Sequence, residues 1–319
     1  MNLISKETFS QIRKICPFRL TGNKKDYIIV GSDSGRITIL EANLEKREFI
    51  KIHQETFGKT GVRRIVPGEY IASDPKGRAI IIAAVEKQKF VYITGRDSEN
   101  KMTISSPLEA HKSHSICFDL VGLDVGYENP LFACLEVDYG DMEDENAPVN
   151  TEEYQKLLVF YEMDLGLNHV VRKNYEKVHN SASLLVPIPG GNEGPGGVLV
   201  FCEDFLVYKK STAGHEERLT PYPRRKDYYH QTGFKLDNND QNYSKRGVMM
   251  VSYSIFKKKD LFFILVQSEL GDVFKITLEY TGENVHGVVM QYFETIPVTV
   301  SLCIFPNGYL FAASEVSNQ

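Results

Sequence analysis

The residues able to do chemistry fall into a few short groups. His111-Lys112-Ser113-His114 sets two imidazoles three apart, a spacing that on a helix can offer two nitrogens to one metal ion. The flanking LEAHKSHSICFDL reads as a loop entering a strand, and Cys117 heads into that apolar strand instead of completing a ligand set. Ordinary polar histidines are the expectation, with no metal. The acidic stretch Asp138 to Glu145 is rich in carboxylates, yet it lacks the Gly-centred spacing that wraps ligands around calcium. Gly190 to Gly197 is the densest glycine tract. A phosphate-cradling loop would continue into Gly-Lys-Ser/Thr and a helix, whereas here Val198 to Cys202 follows as a strand. No serine sits in a nucleophile elbow, and no pair of carboxylates is singled out for hydrolysis. Neither catalysis nor a cofactor is expected.

Basic groups remain. Arg63-Arg64, Arg224-Arg225-Lys226 and Lys257-Lys258-Lys259 are local concentrations of positive charge. The middle one lies among Tyr222, Tyr228 and Tyr229, a composition that suits phosphates and stacked bases. It suits the acidic groove of a protein equally well, and a solvated basic loop reads the same. The chain as a whole is mildly acidic, with 37 basic and 42 acidic residues. That balance argues against bulk electrostatic wrapping of nucleic acid.

The elements that must position these groups are strands almost throughout. Asp26 to Val30 runs through Gly31-Ser32-Asp33-Ser34-Gly35 into Arg36 to Glu41, which is strand, tight turn, strand. Similar runs recur at 79–85, 89–93, 116–124, 131–137, 157–163, 183–188, 197–202, 205–209, 247–253, 261–267, 272–278, 298–304 and 309–313. Residues 4–15 read as a brief helix. The turn chemistry repeats. Ile264 to Val273 copies Ile28 to Ile37; Ser73 to Arg78 is a looser copy, with Gly77 placed 42 residues after Gly35. Phe311 to Asn318 begins another, its Ser314 placed 46 residues after Ser268. This spacing matches a four-stranded propeller blade, and about five or six blades fit once insertions are allowed for. The fold expected is all-β, a WD40-like β-propeller with four-stranded antiparallel blades, incomplete because the last copy breaks off after its turn. Residues 1–319 then form one partial propeller domain, with loop insertions at 138–156 and 224–246. Five scattered cysteines without a CxxC pair suit a reducing compartment, and no apolar stretch approaches the ~20 residues of a membrane span.

Longer stretches carry a more specific signal. IHQETFGKTGVRRIVPGEYIASDPKGRA (52–79), ISSPLEAHKSHS (104–115), LDVGYENPLFACLEVDY (123–139), VFYEMDLGLNHVVRK (159–173), PGGNEGPGGVLV (189–200) and QSELGDVFKITLE (267–279) resemble one family of large propeller subunits. That family includes the damaged-DNA-binding protein 1 and the large subunit of the cleavage and polyadenylation specificity factor, and the resemblance is strongest to its splicing branch. It covers the chain from about Glu7 to Asn318. It implies the first of three propellers in a longer nuclear protein, a non-enzymatic scaffold in the branch-site-recognising U2 small nuclear ribonucleoprotein. The implied partners are the HEAT-repeat subunit and the very small subunit of splicing factor 3b, with indirect or peripheral contact to pre-mRNA or snRNA. The tract PYPRRKDYY corresponds to a Pro-Arg-rich stretch of the family, followed here by a longer Asn-rich insertion. Candidate partner contacts are Arg63, Arg64, Glu128, Asn129, Arg224, Arg225 and Lys226: arginines as directional donors, Glu128 and Asn129 to set a loop or meet a partner. A nucleic-acid-contacting propeller, or an adaptor like the DNA-damage and 3′-end-processing relatives, is the alternative.

Overall fold

The computed structural model describes residues 4–8, 10–58, 64–110, 112–140, 154–211, 218–224, 247–258 and 261–315. Two compact units divide the chain, Met1–Asn180 and Ser181–Gln319. In the first unit, strands β1 (Ile12–Phe18), β2 (Tyr27–Ser32), β3 (Arg36–Asn43) and β4 (Glu48–Thr56) pair in that order as one antiparallel sheet. A second sheet holds β5 (Tyr70–Ser73), β6 (Ala79–Ala83), β7 (Lys89–Arg96) and β8 (Met102–Ile104), with the short β9 (Leu108–Glu109) also on β7. The third is β10 (Ser115–Leu123), β11 (Leu131–Asp138), β12 (Lys156–Asp164) and β13 (His169–Lys177). Strand β5 touches both β1 and β10, so the opening strands of these sheets lie together.

Burial explains the arrangement. Strand β6 reads Ala-Ile-Ile-Ile-Ala and every residue of it is buried. Successive side chains point to opposite faces, so Ile80 and Ile82 pack with Ile29 and Ile39 of the first sheet. Ala79, Ile81 and Ala83 meet Phe132, Cys134 and Val159 of the third. A strand covered on both faces has no use for polar alternation. The outermost strand β13 shows the converse, alternating exposed and half-buried along its length.

The second unit repeats the pattern. Strands β14 (Leu184–Pro187), β15 (Val198–Phe201), β16 (Phe205–Lys209) and β17 (Arg218–Pro221) form one sheet. Strands β18 (Met250–Lys258), β19 (Leu261–Ser268), β20 (Asp272–Thr281) and β21 (Asn284–Thr295) form the next. Leu199 and Phe201 of the former pack into one core with Ile264 and Ile276 of the latter. Strands β22 (Thr299–Ile304) and β23 (Leu310–Ser314) pair as a two-stranded sheet. The all-β expectation of four-stranded antiparallel blades holds.

Two expectations fail. The described residues of 4–15 form no helix: Ile12–Phe18 is strand β1, paired to β2, with Ile12 and Ile15 exposed. The three-residue spacing of those isoleucines imitates a helical stripe, but pairing with the apolar β2 decides the backbone. The turn Ser73 to Arg78 is also not equivalent to Ser32–Gly35. It joins the first and second strands of its sheet, whereas Ser32–Gly35 joins the second and third. The 42-residue spacing therefore measures opposite ends of two blades. The 46-residue spacing is sound, because Ser268 and Ser314 both end second strands. Gly35 and Gly77 nonetheless share a backbone need, with φ near +70° at both. A Cβ on Gly35 would stand 2.2 Å from the Phe57 carbonyl oxygen, and one on Gly77 equally close to that of Arg19.

The expected insertions fall between β11 and β12 and between β17 and β18, and their residues 141–153 and 225–246 lie outside the described residues. The Gly190–Gly197 tract links β14 to β15 through a short 3-10 turn at Gly191–Glu193, as its composition predicts.

Candidate functional site

The candidate contacts do not converge on one patch. Arg64 lies just before β5, and its carbonyl oxygen accepts the Glu86 N–H at 2.7 Å. Glu86 belongs to the turn between β6 and β7. Its carboxylate is almost fully buried, while the Arg64 guanidinium that pairs with it is 75% exposed. The Tyr139 hydroxyl donates to the other carboxylate oxygen. That hydrogen bond and the one from Arg64 hold the Glu86 pKa below the usual carboxylate value. One edge of Arg64 is thus fixed and the remainder faces solvent, a geometry suited to donating to a partner carboxylate, phosphate or carbonyl. Arg63 lies outside the described residues.

Glu128 and Asn129 sit in the turn between β10 and β11, beside the β5–β6 turn. Asp74 nucleates the latter: its carboxylate accepts the backbone N–H of Lys76 at 3.2 Å and of Arg78 at 3.1 Å. The same carboxylate takes Arg78 Nε at 2.8 Å and Nη2 at 2.9 Å. Arg78 Nη1 then reaches the Glu128 carbonyl oxygen at 2.6 Å. Asn129 donates to Glu162 at 3.1 Å and accepts the Leu165 N–H at 3.4 Å, joining its turn to the β12–β13 hairpin. Asn129 is therefore a loop-setting residue. What the turn presents outward is the exposed Glu128 side chain and Tyr127, whose ring lies 5.5 Å from Lys76 Nζ. Because β6 runs from the β5–β6 turn to the β6–β7 turn, Arg64 and Glu128 mark opposite ends of the sheets.

In the second unit, Arg224 Nη2 pairs with Asp204 at 3.1 Å, both side chains about one third exposed. Arg225, Lys226, Tyr228 and Tyr229 lie outside the described residues. Tyr222 offers no stacking face. It is buried against Phe201, and its hydroxyl donates to the Cys202 carbonyl oxygen at 2.7 Å. Lys257 pairs with Glu193, and Lys259 is outside the described residues. His111 is likewise outside them, and His114 stands in the turn before β10 with its ring edge-on to Tyr139. Among the described residues no group of three or more His, Cys, Asp and Glu side chains is arranged to hold a metal ion.

A polar cluster lies inside the first unit, built from residues that no sequence motif joins. Lys89 on β7 and Glu136 on β11 pair at 2.8 Å with 1% and 2% of their side chains exposed. Tyr161 donates to Glu136 at 2.9 Å and Lys89 Nζ reaches Ser115 Oγ at 3.4 Å. Burial disfavours the ammonium, but the neighbouring Cys134 sulfur and the Glu136 carboxylate outweigh it and the Lys89 pKa is raised. A signal did exist: Glu136 interrupts the otherwise unbroken apolar run Leu131 to Val137, and a carboxylate there requires a counter-charge.

Comparison with known proteins adds the rest. The family profile described as the RSE1/DDB1/CPSF1 first beta-propeller matches residues 1–319. Spliceosome-associated protein 130 A of Arabidopsis thaliana is 52% identical over 315 residues, 99% of this chain and 25% of the relative. Splicing factor 3B subunit 3 of Drosophila melanogaster is 49% identical over 317 residues, again 99% of this chain and 25% of the relative. Pre-mRNA-splicing factor prp12 of Schizosaccharomyces pombe is 46% identical over 318 residues, 99% of this chain and 26% of the relative. The chain spans about a quarter of the length of the relatives it matches.

Proposed function

The chain belongs to the family of RSE1/DDB1/CPSF1 first β-propellers, and from that premise we propose that it is a non-enzymatic scaffold of the pre-mRNA splicing machinery, acting in the nucleus. The observation that carries this reading is near-half or higher identity, along almost the whole chain, to a plant protein named as spliceosome-associated and to insect and yeast proteins named as splicing factors. Its finer form is a place in the splicing factor 3b complex of the U2 particle, beside the HEAT-repeat subunit and the very small subunit. Rigid antiparallel sheets hold the turns at their ends in fixed positions, which is what a scaffold asks of its loops. Arg64 and Glu128 are the outward-facing groups best braced for contact, each on a turn tied by buried carboxylates. Arg63, Arg224, Arg225 and Lys226 complete the proposed contacts.

The test is a pull-down from nuclear extract at moderate salt, with the chain tagged at one end and its partners identified by mass spectrometry. Recovery of the HEAT-repeat subunit after RNase treatment supports the scaffold. Recovery of ubiquitin-ligase or polyadenylation components would move the chain to a sister branch of the family. Retention of RNA without protein, with a steep loss on adding salt, would favour direct nucleic-acid reading instead.

A further inference from the structure

We propose that Cys117 and Cys134 form an oxidation site, a thiol pair that a small peroxide converts reversibly into an intramolecular disulfide. Both cysteines are free and buried, on the adjacent strands β10 and β11, and their Sγ atoms stand 3.4 Å apart. A disulfide bond is about 2.05 Å long, so the sulfurs must close by roughly 1.4 Å. The strand carrying Cys117 has the slack for this. Its register with β11 shifts between Cys117 and Asp119, which leaves Phe118 as the extra residue of a bulge. A displacement of Cys117 can be absorbed there without breaking the ladder on either side. Phe118 is also 37% exposed, so the bulge itself reaches the surface.

The surroundings slow the reaction, since a raised thiol pKa leaves little thiolate, and they admit only a small oxidant. Burial, and next the neighbouring Cys117, push the Cys134 thiol well above its ordinary pKa, and the Lys89 ammonium works in the opposite direction. Large disulfide reagents are excluded from cysteines that are 2% and 0% exposed, whereas hydrogen peroxide is scarcely larger than water. Cys117 attacks one peroxide oxygen: an S–O bond forms, the O–O bond breaks, and the thiol proton leaves with the displaced oxygen as water. The sulfenic acid then meets Cys134. Its sulfur attacks, the S–S bond forms, the S–O bond breaks, and the oxygen departs as a second water with the Cys134 proton. Two thiols lose two electrons in all, and one peroxide becomes two waters. A thiol reductant reverses the change. The product ties β10 to β11 next to the Lys89–Glu136 pair that joins the second sheet to the third.

The experiment treats the native full chain with hydrogen peroxide, quenches it, denatures, alkylates the remaining thiols and maps peptides by mass spectrometry. The expected product links the peptides of Cys117 and Cys134, disappears on adding dithiothreitol, and is absent from Cys134→Ser. Should that variant fail to fold, Cys117→Ala serves as well, since either change removes the link. Oxidised wild type should also unfold at a higher temperature than its reduced form, with no such shift in the variants. Recovery of both residues fully alkylated at a peroxide dose that consumes the exposed Cys303 would overturn the proposal. So would capture of Cys134 as a sulfinic acid with no linked peptide.

Discussion

Removing one partner of the Lys89–Glu136 pair should destabilise the first unit more than any surface substitution. At 2.8 Å and an effective dielectric of about 20, the gross attraction is about 6 kcal/mol. Desolvation of two ions offsets much of it, so the pair as a whole contributes little net stability. The single variants are different. Lys89→Met leaves the Glu136 carboxylate 2% exposed, with the Tyr161 hydroxyl but no cation, and should cost ~3–5 kcal/mol. Glu136→Leu strands the ammonium in the same way. The double variant Lys89→Met/Glu136→Leu fills the site with apolar groups and should fall within about 1–2 kcal/mol of the wild type. The assay is urea unfolding followed by far-UV circular dichroism, since the chain contains no tryptophan to report by fluorescence. Additive single effects, or a cost below ~1 kcal/mol for Lys89→Met, would refute the reasoning, because an uncompensated buried charge cannot be that cheap.

Further outcomes are open to measurement. Glu86 has a folded pKa below its unfolded value, so the stability it contributes is fully present above the unfolded pKa and lost as pH falls through the folded one. Urea midpoints between about pH 6 and pH 3 should therefore fall less steeply in Glu86→Gln than in the wild type. Gly35→Ala should destabilise by more than ~1 kcal/mol by thermal denaturation, since its φ of +70° and the Phe57 carbonyl both oppose a methyl group. Arg78→Lys should cost ~1–3 kcal/mol and speed amide exchange at 125–129, because a lysine cannot hold Asp74 and the Glu128 carbonyl together.

How far the sequence could be read depended on where each strand lies. Strands covered on both faces announce themselves by apolar runs, unbroken in β6 and interrupted in β11 by Glu136 before its end at Asp138. The outer strand β4, Glu-Phe-Ile-Lys-Ile-His-Gln-Glu-Thr, is mostly polar and carries no clear strand signal. Strand β13, His-Val-Val-Arg-Lys-Asn-Tyr-Glu-Lys, alternates faithfully in its burial but not in its polarity, because both of its faces carry charge. Arg64 was legible as a basic site. Its partners were not, since Glu86 lies 22 positions and Tyr139 75 positions further on and only sheet packing brings them together. Asn129 was legible as either a loop-setter or a contact, and its bonds to Glu162 and Leu165 favour the first.

The placement of Arg64 and Glu128 at opposite ends of β6 carries a genetic consequence. Strand β11, which starts beside the Glu128 turn and ends next to Tyr139, the partner of Glu86, covers roughly 23 Å from Leu131 to Asp138, close to the width of a small folded domain. A single short peptide lying on one end cannot touch both, so partners that use the two ends must be distinct molecules or one molecule that embraces the sheets lengthwise. In the first case, lesions at Arg64 and Glu128 multiply independently in their effect on assembly. In the second they mask one another, and epistasis between two point substitutions would tell a clasp from a pair of separate handholds.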